Sequence, residues 1–299
     1  MSDFPVTLEG ALTALITPFR GGSVDHDAYA ELVDRQIDGG IDGLVPCGTT
    51  GEAATLSKDE KLSVIRTCTD AADGRVPVVA GTGTNNTKET VAFTQSVSEI
   101  SGVDAALVVA PYYNKPNQEG MYRHFVEVAD RGDLPVVLYN VPSRTGVSLT
   151  AETVERLAEH DNIVAIKEAS ADMTLATRIA ASAGDDIQML SGDDFTTYPL
   201  VAIGGIGCVS VASNLIPGTM SDLVAAARRG NVEQARRLHQ KIQPLVRLLF
   251  SEPNPVPTKL AASILGWCEP DVRGPLYVPS EDVRGLMKDM LEEYGLRQS

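Results

Sequence analysis

Ile163-Val164-Ala165-Ile166-Lys167-Glu168 is a short, uniformly apolar run that stops abruptly at two charged residues. Four apolar positions in a row, bounded by polar neighbours, suit a strand buried on both faces of a parallel sheet better than a helix face. The same pattern recurs along the chain at 11–16, 43–46, 76–80, 105–110, 135–139, 187–190 and 206–211, which makes eight runs in all. Between them lie helical periodicities. Tyr29, Leu32, Val33 and Ile37 share one face and are followed by Gly39-Gly40, a glycine stop. Ser57 and Glu60 have the spacing of a capping box. Thr150 precedes Thr153, Val154 and Leu157 as another helix start.

Eight strands that each feed a helix predict an α/β fold of the (β/α)8 TIM-barrel type, with an open doubly wound sheet as the competing topology. The barrel is expected over residues 1–220. The rest, 221–299, reads as a C-terminal helical extension packed on it, the two forming one structural unit. Within the extension a helix is expected over 221–249, a proline-rich turn at 252–257, a short helix at 259–265 and a last helix at 283–294. The turn is too short and stiff for a flexible interdomain linker. At 299 residues the chain has room for a barrel of about 250 residues and such an addition.

Composition narrows the function. The net charge of −15 disfavours nucleic acid and anionic membranes as partners. It fits either adaptation to a salty cytoplasm or an ordinary acidic cytosolic enzyme. The start of the chain, 1–10, has no apolar core of the kind a secretory signal needs. No apolar run approaches the ~20 residues of a membrane span. Cys47, Cys68, Cys208 and Cys268 form no C-x-x-C pair and suit reduced packing residues of a cytoplasmic protein. His26, His124, His160 and His239 show no metal-ligand spacing. There is no G-x-S-x-G elbow and no Walker A sequence, and Gly81-Thr82-Gly83-Thr84-Asn85 matches a dinucleotide loop only in its first two glycines.

In a barrel, functional groups collect at the C-terminal ends of the strands. The expected strand ends carry Gly48-Thr49-Thr50-Gly51-Glu52, Pro111-Tyr112-Tyr113-Asn114, Tyr139-Asn140-Val141-Pro142-Ser143-Arg144-Thr145-Gly146, Lys167-Glu168 and Ser191-Gly192-Asp193-Asp194. Lys167 is the sharpest of these. Withdrawal from water favours the neutral amine of a lysine, the form that attacks a carbonyl. A lysine that snorkels out of its strand, or one that pairs with Glu168, is the plainer reading. Tyr139 ends the neighbouring strand and is a candidate proton donor and acceptor, with Thr49, Thr50 and Tyr113 supplying further hydroxyls. For these the plainer readings are a half-buried strand aromatic and a helix cap. The Gly48–Glu52 stretch also offers backbone N–H groups to a carboxylate. Arg144 carries a guanidinium able to hold one bidentately, or else is a surface arginine in a surface loop.

Taken together these motifs resemble the dihydrodipicolinate synthase and N-acetylneuraminate lyase superfamily. The likeness runs nearly end to end and includes Asn254-Pro255-Val256-Pro257-Thr258-Lys259. Ser143-Arg144-Thr145-Gly146 is similar to the dihydrodipicolinate synthase branch, where the arginine binds the carboxylate of aspartate semialdehyde. The resemblance implies a lyase that joins pyruvate to aspartate semialdehyde on the route to lysine, with no metal or organic cofactor. It implies that Lys167 forms the imine with pyruvate, that Tyr139 moves protons, and that Thr49, Thr50 and Tyr113 form a relay, with Tyr113 reaching in from a neighbouring subunit. Thr50, Gly192 and Val209 are implied to contact pyruvate, and a homotetramer of tight dimers is implied as the assembly. An aldolase for 2-keto-3-deoxy sugar acids, using the same lysine and tyrosine, is the alternative, and a silent barrel that only binds a metabolite is a third reading. Gly274 and Cys208 occupy positions where other members usually carry an apolar and an aliphatic residue. The superfamily also implies a cleft for inhibitory lysine near Asn85, Glu89 and Tyr112. Lys61 and Ala53 depart from the residues of lysine-sensitive members there, so weak or absent inhibition is expected.

Overall fold

A computed structural model describes residues 5–296. The first few residues of the 1–10 segment and the end of the 221–299 extension lie outside the described residues. Eight parallel strands follow one another along the chain: β1 (Gly10–Ala14), β2 (Gly43–Val45), β3 (Val79–Gly81), β4 (Ala105–Val109), β5 (Val136–Asn140), β6 (Ile163–Glu168), β7 (Gln188–Ser191) and β8 (Gly207–Ser210). Apart from β2 and β3, each pairs in parallel with its neighbours in sequence, and β1 also pairs with β8. The ring is completed between β2 and β3 by the bridge Leu44↔Val78. An open doubly wound sheet is thereby excluded, because both of its edges would remain unpaired.

The helices are α1 (His26–Asp38), α2 (Lys58–Ala72), α3 (Thr87–Ser98), α4 (Gln118–Arg131), α5 (Ala151–Ala158), α6 (Met173–Ala183), α7 (Thr197–Ala202) and α8 (Pro217–Arg228) around the barrel. They are followed by α9 (Val232–Leu249), α10 (Val256–Ile264) and α11 (Glu281–Glu293). The capping box at Ser57 and Glu60 is formed, each side chain meeting the other's backbone N–H. Thr150 caps α5 through Thr153 N. Two layers of core result. Leu12, Val79, Leu107, Val137, Val164 and Leu190 fill the barrel interior, while a larger cluster packs the outer strand faces against the helices.

Several boundaries differ from the sequence reading, three of them with a clear consequence for the fold. The third run begins later than expected, at Val79, because Pro77 and Val78 serve the ring closure: Leu44 N donates to the Pro77 carbonyl at 2.9 Å. The expected helix over 221–249 is two helices. α8 stops at Arg228, Gly230 takes φ +71°, and Asn231 caps α9 by accepting from Gln234 N at 3.1 Å. α10 starts at Val256, not at Lys259, so that it takes in the last two residues of the expected proline-rich turn, with Pro257 in its first turn. A small antiparallel hairpin, Phe19–Arg20 with Ser23–Val24, and a helical turn, Pro142–Thr145, were not evident from the sequence pattern.

Candidate active site

The parallel register decides which side chains meet. Tyr139 on β5 is the Cα partner of Lys167 on β6, and Lys167 is in turn the partner of Leu190 on β7. Tyr139 and Val137 alternate inward with Ala165, so the tyrosine and the lysine stand at one level inside the barrel. Both are buried, Lys167 at 5% exposure. The Lys167 Nζ lies 4.1 Å from the centroid of the Tyr139 ring. Tyr139 Oη is 3.5 Å from Thr49 Oγ1.

Outward-facing neighbours fix this pair. Asn140 and Glu168 are also register partners. Asn140 donates to Glu168 Oε2 at 2.8 Å and to Ser148 Oγ at 3.3 Å, and it accepts from Leu149 N at 3.0 Å. Glu168 takes a further bond from Ser170 N at 2.6 Å. Glu168 thus turns away from Lys167 and staples the two strands to the loop behind Arg144. Burial pushes its carboxyl above the usual range, against the pull of these hydrogen bonds. Burial likewise raises Asp193 and Asp194 on the next loop. Asp194 accepts from Val211 N and Ala212 N at 3.1 and 2.9 Å, which pins the end of β8 just beyond Val209.

Gly192 sits against the lysine itself. A Cβ there would meet Ala169 Cβ at 2.6 Å and Lys167 Cγ and Cε at 2.9 and 3.0 Å. Only glycine lets β7 approach this closely. Val209 is buried in the barrel interior, in the same apolar cluster as Tyr139.

Thr49 and Thr50 lie on a turn in which the amides of Gly51, Glu52 and Ala53 bond back to Gly48 and Thr49. The amides of Thr49 and Thr50 make no such bond among the described residues, as suits a cradle for a carboxylate. Thr50 Oγ1 accepts from Asn254 Nδ2 at 2.9 Å, and the Asn254 carbonyl accepts from Arg144 at 3.4 Å. Asn254 therefore links two of the expected site residues. It was missed because it lies 204 positions from Thr50 and no spacing rule spans that distance; the only signal was its place in the proline-rich motif.

A cavity of about 360 Å³ opens at this end of the barrel, lined by Thr49, Tyr139, Arg144, Asn254, Lys61 and Tyr112 among others. Two cations, Arg144 and Lys61, face it in an otherwise acidic chain. Burial shifts the Lys61 ammonium downward. Tyr113 stands apart. It is 88% exposed, has φ +69°, and makes no hydrogen bond to Thr49 or Tyr139 among the described residues. Among the described residues no cluster of three or more His, Cys, Asp or Glu side chains is placed to hold a metal ion, and no helix is long and apolar enough to cross a membrane.

The closed barrel and the buried amine beside a tyrosine at its C-terminal end define the class: an α/β-barrel enzyme built around a lysine at the end of its sixth strand. Comparison with known proteins gives the family. The chain belongs to the Dihydrodipicolinate synthetase family, whose sequence profile matches residues 7–294. It is 49% identical to a 4-hydroxy-tetrahydrodipicolinate synthase of Citrifermentans bemidjiense over 96% of this chain and 99% of that one. Among solved structures it is similar to the dihydrodipicolinate synthase of Aquifex aeolicus, at 42% identity and a TM-score of 0.95, covering 98% of this chain and 100% of the other. It is also similar to the chloride-inhibited enzyme of Acinetobacter baumannii in complex with pyruvate, at 40% identity and a TM-score of 0.95, covering 97% and 100%.

Proposed function

We propose that this chain condenses pyruvate with L-aspartate 4-semialdehyde to give 4-hydroxy-tetrahydrodipicolinate, a lyase-class step of lysine and diaminopimelate biosynthesis. The observation that carries the reading is the in-register pair of Lys167 and Tyr139, buried at one level, with the amine 4.1 Å from the ring centroid. The neutral Lys167 amine attacks C2 of pyruvate, and loss of water from the carbinolamine leaves an imine. A C3 proton then departs to give the enamine, whose C3 attacks the aldehyde carbon of the semialdehyde. The aldehyde oxygen takes up a proton. The substrate's own amine next adds at C2 and displaces Lys167, which closes the ring and restores the free lysine.

Each proton transfer needs a group able to give and accept, and Tyr139 with Thr49 at 3.5 Å supplies one. Thr50, Gly192 and Val209 hold pyruvate: the first through its hydroxyl and free amide, the others by shaping the pocket. Arg144, anchored on the Asn254 carbonyl, takes the carboxylate of the second substrate. The imine at Lys167 serves where a cofactor would otherwise be needed. The working assembly is a homotetramer of tight dimers in the cytoplasm. The strong exposure of Tyr113 supports its service to a neighbouring subunit's site, where it completes the relay.

The deciding experiment pairs a direct assay with pyruvate and aspartate semialdehyde with borohydride reduction in the presence of pyruvate. The expected result is turnover, and one covalent adduct on the peptide carrying Lys167. An adduct elsewhere, on Lys259 for instance, overturns the assignment. Replacing Arg144 with alanine should spare the adduct and lower kcat/KM for the semialdehyde about ten- to a hundredfold, the effect of losing a charge-assisted contact worth about 1.5–3 kcal/mol. Unchanged kinetics in that variant would favour a 2-keto-3-deoxy sugar acid as the natural partner.

A further inference from the structure

Glu52 ends the turn that carries Thr49 and Thr50, and its surroundings are unusual for a surface loop. It adopts φ +53° although it is not glycine, a conformation that persists only when neighbours impose it. Its amide donates to the Thr49 carbonyl at 3.0 Å. Its carboxylate is almost wholly buried and meets the ammonium of Lys259, itself at 0% exposure, with Nζ and Oε1 2.5 Å apart in an ion-pair contact rather than an aligned hydrogen bond. The other carboxylate oxygen accepts from Arg273 N at 2.9 Å.

Both partners come from the C-terminal extension, and both are held there. Lys259 on α10 donates to the Asp271 carbonyl at 2.8 Å and lies 3.9 Å from the centre of the Phe19 ring. The Arg273 guanidinium lies over the same ring at 4.4 Å, bonds Glu60 on α2 at 2.6 and 2.9 Å, and reaches the carbonyls of Thr55 and Gly22. A buried ion pair contributes little to stability by comparison with apolar packing. Its presence here therefore asks for another purpose. The adjacent Thr50 has its own anchor, Asn254. What the pair fixes is the segment from Thr49 to Glu52.

We infer that Lys259 and Glu52 are positioning residues: the buried pair holds the turn so that Thr49 Oγ1 stays on Tyr139. The inference rests on the proposed role of Thr49 and Tyr139 in proton transfer. It assigns the extension a part in the reaction, since the turn's anchor is borrowed from α10 and the 271–273 segment.

The test is a double-mutant cycle on the full chain. Lys259→Met alone should lower kcat at least about tenfold, with KM for pyruvate within about threefold because Asn254 still holds Thr50. In a Thr49→Val background the same substitution should cost less than about threefold, because the contact it supports is already gone. Independent, multiplying losses overturn the inference, as does an unchanged kcat in the single variant. If Lys259→Met does not fold, the paired Lys259→Met/Glu52→Gln variant replaces it, removing both charges of the buried pair at once, and the same coupling to Thr49→Val is expected. Every variant is also treated with pyruvate and borohydride. A persistent Lys167 adduct with lost coupling refutes the positioning role alone, whereas absence of the adduct from the wild-type chain refutes the imine reading beneath it.

Discussion

The residue whose replacement tests the site most directly is not chemically reactive. Gly192 leaves room for the aliphatic stem of Lys167, and an added methyl group would press on Cγ and Cε well inside ordinary contact. Overpacking of this kind costs about 1–3 kcal/mol, so Gly192→Ala should slow pyruvate-dependent borohydride trapping by about five- to a hundredfold. A trapping rate equal to wild type would mean that the lysine stem relaxes freely. Lys61 carries a second prediction. It lines the cavity beside Tyr112 and Ala53 rather than pointing away into solvent, with its amine 5.6 Å from the Phe93 ring centre. Two ammonium groups 4 Å apart repel by about 1 kcal/mol in water and by more at lower dielectric. Free lysine should therefore inhibit weakly, with half-inhibition above the millimolar range at saturating pyruvate, and Lys61→His should increase sensitivity. Sub-millimolar inhibition of the unaltered protein would refute the argument. At this scale the sequence singled out Lys167 and Tyr139 as the candidate reacting groups, because each closes an apolar run. It concealed their supports: Asn254, Glu52 and Lys259 meet across folds of the chain that no local spacing encodes.

Elements show the same division. The strands were legible because a strand covered on both faces must be apolar throughout, and α2 and α5 were legible because their caps are written in adjacent residues. The break between α8 and α9 was not, since an apolar stripe continues on either side of Gly230 and only the left-handed turn there separates them. The clasp between α2 and the extension yields a pH prediction. The Arg273 guanidinium, with help from Ser57, holds the Glu60 carboxyl down to about 2 from an ordinary 4.5. A carboxyl depressed in the folded state stabilises it fully above the unfolded value and loses that contribution as pH falls through the folded value. The melting temperature of Glu60→Gln should thus lie below wild type at neutral pH, and the gap should close between about pH 4.5 and pH 2. A gap that is constant over this range would show that the clasp works through shape alone. Glu60 is partly exposed, so the effect should also shrink with added salt.

On the scale of the whole molecule, the barrel alone leaves one expected participant stranded. Tyr113 projects from the β4–α4 loop with 88% of its surface exposed, beside the partly exposed Tyr112. A large aromatic at a loop tip, held at φ +69°, is costly to display to water and strained in its backbone. Both costs are met if the ring is buried against a second copy, and a two-fold dimer would place each Tyr113 at the other subunit's site. Subunit mixing separates this arrangement from service to its own site. Lys167→Arg and Tyr113→Phe chains should each be nearly inactive as pure assemblies. Co-refolded in equal amounts, they should recover activity, because a hybrid dimer holds one site with an intact Lys167 and an intact Tyr113 supplied by its partner. With random pairing, half of the dimers are hybrids and half of their sites work, so recovery should reach about a quarter of the wild-type rate. If Tyr113 serves the site of its own chain, no combination reunites the two residues, and the mixture should be no more active than its components.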